Sequence, residues 1–313
     1  MLGRSANHLY WMSRYIERAE NTARILEISQ RMALLPHVAK KGASEWQAVL
    51  EIAGDVEDYS KRYGDITAAK VTAYLTLDRE NHSSIWSTIR AARENAHAER
   101  VCITSEMWES LNATWLEVKD LTPAMLGKND QRDFFDWIKE RSHLFRGITF
   151  GTMLRDEAYH FGRLGTFVER SDNVARILDV KYHVLLPSVE DVGGAIDNFQ
   201  WGALLRSVSG FRAYHRVYHD TIEPRRVTEL LILNDSMPRS LHSCLDATIG
   251  LLGMLSAEKP TEAARLAGEL HASLHYGKIG DIFKTGLHEF LTLFLKRNNA
   301  LSAEIQHSFH LAA

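Results

Sequence analysis

Two stretches of this chain carry the same charged and amide side chains at the same spacing. HLYWMSRYIERAENTARIL, residues 8–26, returns as HFGRLGTFVERSDNVARIL, residues 160–178. His8, Glu17, Arg18, Glu20, Asn21 and Arg24 thereby align with His160, Glu169, Arg170, Asp172, Asn173 and Arg176. At about 100° per residue, Glu17, Glu20, Asn21 and Arg24 share one arc of a helix, with Arg18 at its edge. Ile16, Ala19, Ala23 and Leu26 cover much of the remaining circumference, as Phe167, Val168, Ala175 and Leu178 do in the second copy. A helix that is apolar almost all round is buried, so each polar stripe needs a partner; an uncompensated buried charge costs several kcal/mol.

Three chemistries fit such stripes. In the first they satisfy each other, Glu17 and Glu20 pairing with Arg170 and Arg176, and the reverse. In the second they line a polar cavity that holds a small polar ligand or a peptide end, since the planar guanidinium fork binds carboxylates bidentately. The third is a metal site, because Glu-x-x-Glu facing Glu-x-x-Asp has the form of a carboxylate bundle. Arginines crowd those carboxylates, however, and His8 and His160 stand nine residues before the first glutamate of each copy, on another face. The expectation is therefore no metal and no cofactor. Arg90 and Arg93 in IRAARENAHAER, and Arg239 just after Pro238, are candidates for a further cationic wall. His215 and His219, and His271 and His275, have the four-residue spacing that lets two imidazoles share a metal, but 15 histidines produce such pairs by chance. The chain has no HExxH, paired CxxC, phosphate-cradling glycine loop or dinucleotide fingerprint, and Cys244, near Ser240, His242 and Asp246 on one helix, reads as a core cysteine.

The elements that position the stripes read as helices throughout. Helical spacing of apolar residues predicts helices over 4–33, 44–63, 67–77, 83–98, 104–120, 131–145, 153–186, 197–219, 225–233, 239–255, 261–275 and 279–308, the last with a break near Asn298. Gly147 and Gly151 suggest a tight corner before the second motif helix. The repeat extends beyond the motif: Trp46, Tyr59 and Tyr63 return as Trp201, Tyr214 and Tyr218, VTAYLTLD from Val71 as VTELLILN from Val227, and SIWSTIRA from Ser84 as SLHSCLDA from Ser240. This predicts an all-α bundle of two pseudo-symmetric halves, residues 1–150 and 151–313, packed as one body.

With 313 residues and 45% hydrophobic content the chain can bury a substantial core, and a formal charge of −3 gives no general attraction to nucleic acid or anionic membrane. Two cysteines, no membrane-spanning run and charges interrupting the apolar N-terminal stretch predict a cytoplasmic protein without disulfides.

RSANHLYWMSRYIERAENTARIL, RAARENAHAERVCITSEMWESLN, FRGITFGTMLRDEAYHFGRLGTFVERSDNVARILDVKYH and MPRSLHSCLD together resemble the bacterial Alpha-E family, named for a helical domain with a glutamate-arginine motif. Members are typically encoded beside, or fused to, circularly permuted ATP-grasp ligases and transglutaminase-like proteases, and the resemblance implies a role in making or modifying peptides. It carries over only motif positions: Glu17 and Arg18, Glu169 and Arg170, and their acidic, asparagine and arginine neighbours. The expected function is a non-catalytic or substrate-presenting partner of an ATP-grasp peptide ligase, which supplies the nucleotide chemistry while this chain receives an acidic peptide or small polar ligand. The alternatives are an enzyme of amide-bond or acyl chemistry, with Glu17 or Glu169 as general base, and a structural homo-oligomer whose charges fix helix register.

Overall fold

The computed structural model describes residues 1–33, 42–54, 56–122, 125, 127, 130–183, 194–256 and 261–311. All regular structure among them is helical. The order is α1 (Gly3–Ala33), α2 (Gly42–Ala53), α3 (Val56–Tyr63), α4 (Ala68–Thr76), α5 (Ile85–Ala98), α6 (Ser105–Val118) and α7 (Asp130–Thr152). It continues with α8 (Glu157–His183), α9 (Ala195–Ser207), α10 (Phe211–Tyr218), α11 (Pro224–Ile232), α12 (Leu241–Leu255), α13 (Glu262–His275), α14 (Ile279–Thr285) and α15 (Leu287–Ser308).

Helix starts follow local chemistry. Thr67, Ser84, Thr104, Ser240 and Thr261 each stand in extended backbone and accept a hydrogen bond from an N–H of the first turn, and Pro224 opens α11, where its missing N–H costs nothing. Three predicted helices are divided. The 44–63 helix ends at Gly54 (φ 78°), the 197–219 helix turns at Ser209 (φ 58°) before Gly210, and the last breaks at Gly286 (φ 101°) rather than at Asn298, which lies buried inside α15. Left-handed backbone is what glycine tolerates and a continuing helix cannot use. The corner expected at Gly147 and Gly151 is absent; α7 runs through both to Thr152, and each faces open space.

The motif helices α1 and α8 form the centre and pack along each other. Around them several packings in the first part of the chain have a counterpart in the second: α1 with α5 and α8 with α12, α1 with α7 and α8 with α15, α5 with α6 and α12 with α13. α2 also reaches across to α8, and α9 to α1. Local contacts recur too. Tyr59 donates to the Asp65 carbonyl and Tyr214 to that of Thr221, while Ser84 and Ser240 donate to the carbonyls of Asp78 and Asn234.

Buried apolar side chains gather in two clusters. One holds Leu9, Tyr10, Ile16, Leu164 and Val168; the other holds Ala19, Ala23, Leu26, Val174 and Leu178 with Trp46, Trp201, Tyr59 and Tyr214. The charged turns of the motif helices lie between them. Close approach of α1 and α8 depends on glycine: a Cβ at Gly165 would stand 2.2 Å from the Tyr10 carbonyl oxygen, and one at Gly162 3.3 Å from Ser13 Oγ.

The Gly165→Ala substitution should therefore force the two central helices apart and lower unfolding free energy by about 1–3 kcal/mol in urea titration. Gly250→Ala, at an exposed position of α12 with nothing within 4 Å, should instead raise it by roughly 0.5–1 kcal/mol.

Candidate functional site

Four carboxylates, Glu17, Glu20, Glu169 and Asp172, meet seven guanidinium groups in the belt between the two apolar clusters: Arg14, Arg18, Arg24, Arg146, Arg170, Arg176 and Arg239. Glu17 receives Arg170 on both oxygens (Nε to Oε1 2.9 Å, Nη2 to Oε2 3.0 Å). Arg239 Nη1 adds 3.0 Å to Oε1 and Arg146 Nη1 2.8 Å to Oε2. The reciprocal pair is equally direct, with Arg18 donating from Nε (2.6 Å) and Nη2 (3.1 Å) to the two oxygens of Glu169 and Arg14 Nε adding 2.7 Å. Each glutamate of one motif helix is thus held by the arginine that follows the glutamate of the other.

The remaining carboxylates each take an arginine one turn on in their own helix. Glu20 takes Arg24 one turn on, together with Arg239, Arg146 and the Ser142 hydroxyl. Asp172 takes Arg176 (Nε to Oδ2 2.5 Å), whose Nη1 also donates to the Ile52 carbonyl at 2.9 Å. The cross-helix pairing expected for Glu20 with Arg176 is not made: Arg176 turns to Asp172 and the Ile52 carbonyl, and Glu20 is met by Arg24, Arg146 and Arg239. Asn173 donates to the Glu169 carbonyl, whereas buried Asn21 makes no hydrogen bond through either amide atom among the described residues.

Burial pushes the Glu17 carboxyl up, but Arg170, Arg146 and Arg239 outweigh it and hold the group at about 2. Glu169 is also held at about 2, with Arg18 and Arg14 overcoming burial, and Glu20 lies well below the ordinary range for the same reason. Burial drives Arg239 downward despite Glu20 and Glu17, a sign of how many cations share this space. Carboxylates so acidic are weak bases near neutral pH.

The two copies differ in openness. Beside Glu17 the structure leaves a void of about 10 Å³, room for at most a water molecule. Beside Glu169 and Asp172 a cleft of about 220 Å³ opens, with Arg18, Asn173 and Arg176 on its polar side and Ile25, Ile52 and Leu75 on its apolar side. Ser83 lines this cleft, and it precedes Ser84 as Arg239 precedes Ser240, so the guanidinium that seals the first copy has a small hydroxyl in its place in the second. Arg18 and Arg176 keep 25% and 29% of their side-chain surface exposed, against 3% for Arg24 and 9% for Arg239.

Of the arginines singled out from sequence, Arg239 belongs to the belt and Arg90 and Arg93 do not. Arg90 lies over the Trp86 ring; Arg93 covers Trp108 and binds Asn112 and Glu94. Sequence reasoning missed Arg14, Ser142 and Arg146. Arg14 had a legible signal, three residues before Glu17 on the same face; Arg146 had only its position four after Ser142 on α7. Cys244 is a buried core thiol, and burial pushes it up to about 12.

A family model, Alpha-E, described as a predicted alpha-helical domain with a conserved ER motif, matches residues 1–310. No curated protein and no solved structure matches the chain. No helix among the described residues is long and apolar enough to cross a membrane.

Glu17→Gln should cost about 3–5 kcal/mol of unfolding free energy, the scale for breaking a buried ion pair. Because Glu17 and Glu169 are more acidic in the folded protein than the ordinary 4.5, the stability they contribute is complete above that pH and is lost as pH falls toward 2. Urea titrations across this range should show a steep acid limb in the parent protein and a shallower one in Glu169→Gln.

Proposed function

The chain belongs to the Alpha-E family, and from that premise we propose that it is a non-catalytic, substrate-presenting partner of an ATP-grasp peptide ligase. A carboxylate-bearing peptide end is received in the cleft between Arg18 and Arg176. The association with a ligase rests on the family resemblance; the ligand chemistry rests on the belt. Its carrying observation is the excess of seven guanidinium groups over four carboxylates, with Arg18 and Arg176, the most exposed of the seven, on the walls of the same cleft. A bound carboxylate offsets part of that excess and accepts charge-assisted hydrogen bonds from both arginines. Asp172 and Asn173 line the same space and bring carboxylate and amide groups that can accept from peptide N–H groups, and Ile25, Ile52 and Leu75 offer an apolar wall for a side chain.

Catalysis by this chain alone fits the geometry less well. Glu17, the suggested general base, is buried under three arginines with a water-sized void beside it, and both it and Glu169 are held near 2.

Calorimetry with short peptides should show binding of a free C-terminal carboxylate and roughly tenfold weaker binding of the matching amide, about 1.4 kcal/mol. Ser83→Trp, which fills the cleft while leaving every charged residue of the belt unchanged, should abolish that binding and leave thermal stability near that of the parent protein. Co-purification from the native host should recover an ATP-grasp protein with the parent chain. Equal affinity for acid and amide, or undiminished binding by Ser83→Trp, would refute the cleft; a parent chain recovered without a ligase would refute the partnership.

A further inference from the structure

A second cluster of ligand-type side chains lies away from the belt, where α12 packs on α13. His242 and Asp246 stand one turn apart on α12, and His271 and His275 one turn apart on α13. One ring nitrogen from each of the three histidines lies within 4.8 Å of the others. His242 Nε2 is 3.3 Å from His275 Nδ1 and 3.7 Å from Asp246 Oδ1, and His271 Nε2 is 2.6 Å from the same Asp246 oxygen. A tetrahedral ion with metal–nitrogen bonds of about 2.0–2.1 Å needs ligand atoms roughly 3.3–3.4 Å apart, so the His242–His275 pair already has the spacing such an ion requires and the three ring nitrogens lie near it, with the Asp246 carboxylate beside His271.

The buried member is oriented in advance. His242 Nδ1 lies 2.8 Å from the Leu233 carbonyl oxygen, which can only accept, so Nδ1 carries the proton and the Nε2 lone pair is aimed at the cluster. His242 is buried, His271 partly buried and His275 exposed, which gives the site a fixed base and an open entrance. The corresponding place in the first part of the chain is occupied differently. SIWS aligns with SLHS, putting Trp86 opposite His242, and the α5–α6 contact is Trp86 edge-on against Trp115 at 5.1 Å. One helix pair is thus joined through two indoles, and the other through three imidazoles and a carboxylate.

The geometry points to a site for a single divalent transition-metal ion of the zinc type, held by His242 Nε2, His271 Nε2, His275 Nδ1 and Asp246, and joining α12 to α13. The neutral imidazoles bind through these nitrogens and carry their protons on the other ring nitrogen. The proposed site departs from the sequence expectation of no metal, which considered His271 and His275 only as a pair within one helix. Bound metal adds a link between two helices and stabilises the folded state by mass action. α12 begins two residues after Arg239, so the same link steadies the segment that seals the Glu17–Glu20 side of the belt.

The test uses the full chain, stripped with a chelator and titrated with Co²⁺ by visible absorption, then displaced with Zn²⁺. The expected result is one equivalent of Co²⁺ with intense tetrahedral bands, displacement by Zn²⁺, and a higher melting temperature with Zn²⁺. His275→Gln, an exposed change that should leave the fold intact by circular dichroism, should weaken binding by about a hundredfold, and His271→Gln should do the same. A double His215→Gln, His219→Gln control should bind as the parent does. Absence of binding in the parent chain, undiminished binding in His275→Gln and His271→Gln, or loss of binding in the control would each overturn the assignment.

Discussion

Seven guanidinium groups and four carboxylates are confined in a layer between two apolar clusters, and the rest of the structure is arranged to make that layer tolerable. Each ion pair must be met at hydrogen-bonding distance, since charges this deep are stabilised only by good geometry. That requirement fixes the register of α1 against α8, because Glu17 reaches Arg170 only where Glu169 reaches Arg18. It also explains the glycines at 162 and 165, which let two backbones approach closely enough for the reciprocal pairs to close.

Internal repetition gives the belt two versions of one arrangement, and their divergence is where function can enter. Near Glu17 the arrangement is completed by Arg239 and Arg146 and leaves no room for a ligand. Near Glu169 the corresponding position is Ser83, and the space that a guanidinium would fill is open. On the proposed reading the closed copy holds the fold and the open copy receives the ligand, so stability and binding need not compete for the same residues. The α12 segment shows a parallel divergence, with His242 where the first part of the chain has Trp86. The two differences fall on either side of the capping serine of α5 and α12, Ser83 and Arg239 just before it and Trp86 and His242 just after, so the serine that starts the helix is kept.

The sequence by itself determined the helical architecture and the belt's principal members. Periodicity is a local property, and Glu17, Arg18, Glu169 and Arg170 declared themselves by recurring on helices otherwise apolar. It misjudged breaks where backbone geometry outweighed pattern, as at Gly54, Ser209 and Gly286, and it read a corner at Gly147 and Gly151 where α7 simply continues. Only the tertiary structure decided which charges meet. Arg146 on α7 and Arg239 before α12 enter the belt from far along the chain, while Arg90 and Arg93, equally basic, turn to Trp86 and Trp108. His242 joins His271 and His275 in the same way, across a helix interface. A helical pattern specifies the face on which a side chain lies, but the partner of that face is set by packing between elements distant in sequence, and the balance of burial against pairing exists only once they have met.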